Sequence, residues 1–324
     1  MRYEVDHIDA LVVAVERLAD GICSWEFRSA DGRALPPFTA GAHIDLHLGN
    51  GVSRSYSLCN SQDDRDRYVV AINRDPASRG GSKLIHGTLK PGDRIAISAP
   101  RNHFPLVEDA GHVAFFAGGI GITPIFCMIQ RLESLGRSWE LWYSCRERSK
   151  CAFRERLEAL ESARSGRVHF NFDQEPGGRM LDLAQVITST PQHAHLYCCG
   201  PNPMLRAFEI AAAEVGRPGN HVHVEYFAAK EAAALAGGYN VVCVRSGVEF
   251  RVEQGQRILD AMLAANIDIA YSCSEGICGT CECRVLEGIP DHRDSVLTPD
   301  EQAANDRMMV CCSGSQSARL VLDI

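Results

Sequence analysis

At 324 residues, with 45% hydrophobic and 23% charged side chains, the chain has the length of two or three domains and the composition of a water-soluble globular protein. Lys and Arg number 33 against 41 Asp and Glu, a formal charge of −8, which argues against a basic nucleic-acid-binding surface. No apolar run reaches the ~18 residues of a membrane span, and the first residues carry no secretory apolar core, so the 14 cysteines are expected in a reducing cytoplasm rather than in a disulfide scaffold.

In chain order, residues 1–107 read as an antiparallel β domain, a small barrel. His43-Ile44-Asp45-Leu46-His47-Leu48 alternates, Tyr68 to Ile72 and Arg94 to Ile97 are rich in β-formers, and Gly49-Asn50-Gly51 and Lys90-Pro91-Gly92-Asp93 are turns. Arg54-Ser55-Tyr56-Ser57 sets a cation and a phenol on one strand face. Arg79-Gly80-Gly81-Ser82-Lys83 offers backbone amides, a hydroxyl and cations before a short helix, which suits a phosphate. Each phrase alone reads better as a solvated strand or a flexible turn. Together in one barrel they point to a flavin.

Residues 108–227 change period. Val113 to Ala117 is a continuous apolar run, as in a strand buried on both faces. It leads into Gly118-Gly119-Ile120-Gly121-Ile122-Thr123-Pro124, where Thr123 can cap the next helix and Pro124 can begin it. Strand and helix texts then alternate to Tyr226, which predicts a doubly wound α/β nucleotide-binding domain. Ligands of such sheets sit beyond the strand carboxyl ends, where the glycine turn and Cys199-Gly200-Pro201 both fall. The glycines are not the G-x-G-x-x-G fingerprint and are weak evidence by themselves. Asp173, at a strand end, can accept from a ribose hydroxyl and would repel a 2′-phosphate, which favours NADH over NADPH; a plain loop carboxylate is the competing reading.

Residues 228–238, small and ending in two glycines, read as a linker, and 239–324 as an α+β domain. That last domain opens with a hairpin around Ser246-Gly247, continues through a helix from about Arg257 to Ala265, and carries a capping box at Thr298-Pro299-Asp300-Glu301. Between them, Cys273, Cys278 and Cys281 stand at C-x4-C-x2-C, with adjacent Cys311 and Cys312 about thirty residues on. This is the spacing of plant-type 2Fe-2S ligands. A zinc site more often shows paired C-x2-C elements, and a redox dithiol leaves Cys273 unexplained. Gly276 and Gly279 let backbone amides approach the cluster sulfurs. Cys283 reads as packing. Spacing does not choose between Cys311 and Cys312.

Over its full length the sequence resembles the FMN-containing reductases of Rieske oxygenases, the family of phthalate dioxygenase reductase and the reductase of vanillate O-demethylase. The matching phrases are Arg54 to Asn60, Arg79-Gly80-Gly81-Ser82, Gly118 to Pro124, Cys199-Gly200-Pro201, Glu225-Tyr226-Phe227 and the cysteines. The resemblance implies that Arg54, Tyr56 and Ser57 hold the flavin, with Ser57 near its N5 edge, and that Gly81, Ser82 and Lys83 form the phosphate loop. It implies that Thr123 reaches the ring from the second domain, that Phe227 covers the other ring face, that Gly119 and Gly121 form the pyrophosphate turn, and that Cys199 lies beside the nicotinamide. It selects Cys311 as the fourth ligand. Ser274 and Gly314 depart from the arginines usual in the family, leaving the cluster surroundings less basic.

The implied activity is hydride transfer from NADH to FMN, then single electrons through the 2Fe-2S cluster to a separate Rieske-type oxygenase, with the cofactors supplying the chemistry and the protein the distances. One chain holds the whole path, so a monomer suffices. Two alternatives are a stand-alone NADH reductase of quinones or ferric chelates, and a binding module whose cluster state controls association with a partner.

Overall fold

The computed structural model describes residues 7–49, 52–76, 80–163 and 167–324. Arg79 of the expected phosphate loop and part of the turn at Gly49-Asn50-Gly51 lie outside the described residues. The described chain divides into two compact units, one running from His7 to Glu225 and the other from Tyr226 to Ile324.

The first unit begins with a six-stranded antiparallel sheet of β1 (His7–Ala19), β2 (Ile22–Ser29), β3 (His43–His47), β4 (Ser53–Ser57), β5 (Tyr68–Asn73) and, after helix α1 (Gly81–Thr88), β6 (Arg94–Ser98). The spatial order is β4-β3-β6-β1-β2-β5, and a bridge between Leu58 and Val70 joins the two ends, closing the sheet on itself. Long β1 can serve two sides of this barrel because its register with β2 slips between Val12 and Ala14 and again between Arg17 and Ala19; such slips bend a strand. Alternation places Trp25, Phe27, Ile44, Leu46 and Tyr68 in the interior, where each large apolar side chain contributes about 1.5–3 kcal/mol.

The same unit continues as a parallel sheet with order β11-β10-β7-β8-β9. Its elements are β7 (Val113–Gly118), α2 (Ile122–Ser134), β8 (Trp139–Cys145), α3 (Arg154–Ala163), β9 (Val168–Phe172), α4 (Leu183–Ser189), β10 (His195–Cys199), α5 (Asn202–Glu214) and β11 (Val222–Glu225). Every residue of β7 is buried, as a central parallel strand requires. α2 starts earlier than Thr123 and Pro124 suggest: a 3-10 turn over Gly119–Gly121 runs straight into it at Ile122, and the Thr123 hydroxyl donates back to the Ile120 carbonyl at 3.0 Å instead of capping.

The second unit contains β12 (Tyr239–Cys243), β13 (Val248–Val252), α6 (Ile258–Ala264), β14 (Glu282–Glu287), β15 (Pro290–Asp291), α7 (Pro299–Ala304), β16 (Arg307–Met309), β17 (Gly314–Ser315) and β18 (Arg319–Leu322). Its main sheet, β13-β12-β18-β14-β16, pairs β12 with β18 in parallel and encloses a core that includes Val241, Ile258, Met262 and Leu320. The expected capping box is present in full at the start of α7. The stretch read as a linker is anchored here. The Ala234 amide donates to Cys312 O at 2.8 Å, and Gly237 sits so close to Glu253 and Gln254 that a Cβ would meet backbone at 2.4 Å.

Candidate functional site

The barrel contributes the first part of the site through β4 and α1. Arg54 and Tyr56 are half-buried on one face of β4, and Ser57, at its end, is buried. Gly80 (φ +108°) turns the chain into α1, whose N-terminus carries no side-chain cap and no acidic residue. The Arg54 side chain lies directly over this helix start, since a Cβ on Gly81 would meet Arg54 Cγ at 2.8 Å. A helix N-terminus with no side-chain cap among the described residues, a guanidinium and the exposed Lys83 form a cradle for a phosphate. The Ser82 hydroxyl, buried at the same turn, accepts from the Asp75 amide at 3.3 Å. Burial pushes the Tyr56 phenol up to about 12, so it stays a neutral donor.

The parallel sheet brings the second part to its carboxyl edge. Two of its turns press together there. A Cβ on Gly121 would lie 2.1 Å from the Cys199 carbonyl oxygen, and one on Gly118 would lie 2.7 Å from Met204 Sδ and Pro201 Cδ. Gly119 adopts φ +53° with open space around it. Of the two glycines assigned to a pyrophosphate turn, Gly121 is thus required for packing, while Gly119 has open space on its Cα side. Asp173 follows β9, where its amide donates to Cys145 O at 3.1 Å. Asp173 Oδ1 is buried without a hydrogen-bond partner among the described residues, as are Ser144 Oγ and Asn171 Nδ2, which face each other in the β8/β9 register. Three orphaned polar atoms on one sheet edge suit the hydroxyls of a ribose. Ser144 and Asn171 were not anticipated; alternation along β8 and β9 places them beside Asp173.

The two parts meet at Ser57. Its hydroxyl is hydrogen-bonded to the carboxyl of Glu225, and Cys199 Sγ lies 3.9 Å from Glu225 Oε2 across the β10/β11 pair. Desolvation pushes the Glu225 carboxyl up to about 8, although its bonds to Cys199 and Ser57 act the other way. Burial also drives the Cys199 thiol well above the ordinary thiol range, so it is a neutral packing group and not a nucleophile. The sequence carries no signal for a role of Glu225, because nothing local links it to Ser57. Phe227 is half-buried and belongs to the second unit.

In that second unit the loop between α6 and β14 gathers the thiols. The Cys273 amide lies 3.5 Å from Cys278 Sγ, the Glu275 amide donates to Cys273 Sγ at 3.3 Å, and Thr280 Oγ1 is 3.3 Å from Cys278 Sγ. Cys311 is hydrogen-bonded to both Cys273 and Cys281 and receives the Gly276 amide. Cys312 is hydrogen-bonded to Cys311 from outside this set, donates to Met309 O at 3.7 Å and fills the space beside Gly276, whose φ is +70°. The bond from Cys273 draws the Cys278 thiol down to about 6, and shared protons draw Cys311 below the thiol range. Among the described residues no three His, Cys, Asp or Glu side chains gather to hold one ion. Four buried thiols with amides aimed at sulfur fit a two-iron cluster, which divides its ligands between the irons. Cys283 packs in the core.

Residues 115–209 match the family model of the oxidoreductase NAD-binding domain, and residues 242–315 that of the 2Fe-2S iron-sulfur cluster binding domain. The chain is 48% identical to tetrachlorobenzoquinone reductase of Sphingobium chlorophenolicum over 100% of both chains. It is 42% identical to vanillate O-demethylase oxidoreductase of Pseudomonas sp. (strain HR199 / DSM 7063), covering 98% of this chain and 100% of the relative. Its fold superposes on phthalate dioxygenase reductase, described as a modular structure for electron transfer from pyridine nucleotides to [2Fe-2S], with a TM-score of 0.72, 36% identity and 98% of each chain covered. It also matches part of an intact type IV self-sufficient cytochrome P450 monooxygenase (TM-score 0.89, 39% identity), spanning 98% of this chain but only 41% of that one.

Proposed function

Because the chain belongs to the phthalate dioxygenase reductase family of oxidoreductases, we propose that it is the NADH-dependent reductase component of a two-component Rieske-type oxygenase, holding FMN and a 2Fe-2S cluster. FMN held by these residues would supply acceptance of hydride from NADH and release of single electrons to the 2Fe-2S cluster. The observation that carries this reading is the meeting of Ser57, Glu225 and Cys199 beside both the Arg54 cradle and the glycine turn, in a chain that also gathers four cluster cysteines.

Each residue then has a task. Arg54, Gly81, Ser82 and Lys83 hold the flavin phosphate, Tyr56 and Thr123 border the ring, and Ser57 donates to N5. Cys199 is the neutral surface against which the nicotinamide rests. Glu225 exchanges a proton through Ser57 at the ring edge. Gly119 receives the pyrophosphate, and Asp173 with Ser144 and Asn171 receives the adenosine ribose, which favours NADH. Phe227 covers the flavin. Cys273, Cys278, Cys281 and Cys311 ligate the iron. The domains run 1–107, 108–227 and 239–324. The protein acts as a monomer in the cytoplasm; among the described residues no helix is long and apolar enough to cross a membrane.

The test is to add NADH to the purified holoprotein without oxygen and follow its visible absorption. Bleaching of both chromophores supports the reading, and a colourless or unresponsive protein ends it. Mass analysis of the released flavin distinguishes FMN from FAD. A second reading, direct two-electron reduction of quinones, is favoured by the 48% identity to a quinone reductase. Rapid turnover with benzoquinones as sole acceptor, undiminished when the cluster is removed, selects it.

A further inference from the structure

Beneath the glycine turn lies a group of side chains that electron transfer leaves unused. Cys145 ends β8 and Cys151 stands six residues later, both within 5% of complete burial and with their thiols hydrogen-bonded to each other. Between them Arg146 to Lys150 form an exposed loop. The Tyr143 hydroxyl joins the same network and donates to Gly119 O at 3.0 Å, while the Gly119 amide points at Cys145 Sγ. Through its carbonyl, Cys145 also receives the Asp173 amide at 3.1 Å. The thiol pair is thus bonded directly to the turn and to the strand end between which the dinucleotide is proposed to bind.

We propose that Cys145 and Cys151 are a reversible thiol–disulfide pair, oxidised by hydrogen peroxide, that weakens the dinucleotide site when electrons leak to dioxygen. This rests on the assignment of Gly119 and Asp173 to NADH. The oxidant arises when dioxygen, in place of the intended acceptor, takes two electrons and two protons from the NADH-reduced protein. The Cys145 sulfur, whose acidity is raised by its bonds from Cys151, Tyr143 and the Gly119 amide, attacks one peroxide oxygen. The O–O bond breaks, a sulfenic acid forms, and the departing hydroxide leaves as water. The Cys151 thiol then attacks that sulfur, the S–O bond breaks, the S–S bond forms, and a second water departs with the remaining proton. Two thiols and one peroxide give one disulfide and two waters. A dithiol reductant reverses the step by exchange.

The structural consequence follows from bond lengths. Hydrogen-bonded sulfurs must close to about 2.05 Å, which pulls the end of β8 toward Cys151. Cys151 itself has little freedom. It opens the buried run Cys151-Ala152-Phe153, and the loop before it is tied to the barrel by a 2.8 Å bond from the Asp20 amide to Ser149 O. The movement therefore falls on Cys145, which carries Gly119 and Asp173 with it and draws the sulfur acceptor away from the Gly119 amide.

The holoprotein is treated with hydrogen peroxide, digested with trypsin without reductant and analysed by mass spectrometry, and its anaerobic bleaching by sub-saturating NADH is timed in parallel. The expected result is a disulfide-linked pair of peptides, 138–146 with 151–154, and bleaching slower by about two- to tenfold, as for the loss of one hydrogen bond, restored by dithiothreitol. Cys151→Ser should form no linked pair and show no recovery of activity with dithiothreitol after peroxide. The proposal is overturned if the linked peptides never form, if they form while bleaching keeps its untreated rate, or if Cys151→Ser loses and regains activity as the unsubstituted protein does. Untreated protein that NADH cannot bleach would instead refute the dinucleotide site.

Discussion

Glu225 is a carboxyl taken out of water without a cation to compensate it, and its neighbours, Ser57 and Cys199, are neutral. The energetic consequence is a preference for the protonated acid in the fold, with the folded value near 8 against 4.5 for a free side chain. Since the folded state holds this proton more tightly, the stability it contributes is fully present below pH 4.5 and is lost as pH rises through about 8. Glu225→Gln, neutral at every pH, should flatten this fall; melting temperatures of both proteins compared from pH 5 to 9 check it, and parallel curves would refute the burial of a carboxylic acid. Ser57→Ala removes both the partner of that acid and the donor proposed for N5. Stopped-flow reduction by NADH should slow by about tenfold or more, as for the loss of one oriented donor.

Two elements owe their function to close approach of backbone. The turn before α2 and the turn after β10 touch through Gly121, whose added methyl would strike the Cys199 carbonyl at 2.1 Å. Because that neighbour is backbone, it cannot swing away. Gly121→Ala should cost about 1–3 kcal/mol of stability, read from urea unfolding, and raise KM for NADH. The start of α1 is the opposite case, for the atom met by a methyl on Gly81 is the flexible Arg54 side chain. There the charge matters more than the space. Arg54→Ala should weaken flavin binding by about 1.5–3 kcal/mol, seen as flavin lost during gel filtration, with the barrel still folded. These elements were only partly legible beforehand. Strand positions followed from apolar periodicity, and the α7 cap from Thr298 and Glu301, because both signals are local. The entry into α2 was misplaced at Thr123, since the 3-10 turn over Gly119–Gly121 depends on packing against a turn some eighty residues away.

At the scale of the whole molecule, paired electrons enter one compact unit and the cluster cysteines lie in the other. Each half-reaction should therefore be separable by mutation. Cys311→Ser should abolish the cluster absorption and delivery to one-electron acceptors while NADH still bleaches the flavin; Cys312→Ser, whose hydroxyl can replace the thiol's bonds to Cys311 and Met309 O, should keep both activities. Visible spectra and cytochrome c reduction of the two variants decide this.

By itself the sequence determined the succession of antiparallel, parallel and mixed sheets, the C-x4-C-x2-C loop and the glycine turns, for these are encoded in short-range spacing and periodicity. Only the tertiary structure decided which acid stands beside Ser57, that Ser144 and Asn171 join Asp173, that Gly121 serves packing while Gly119 stays open, and that the thiols of Cys145 and Cys151 brace that turn. Such pairings arise where strands distant in sequence are brought into register, and local spacing carries no information about them.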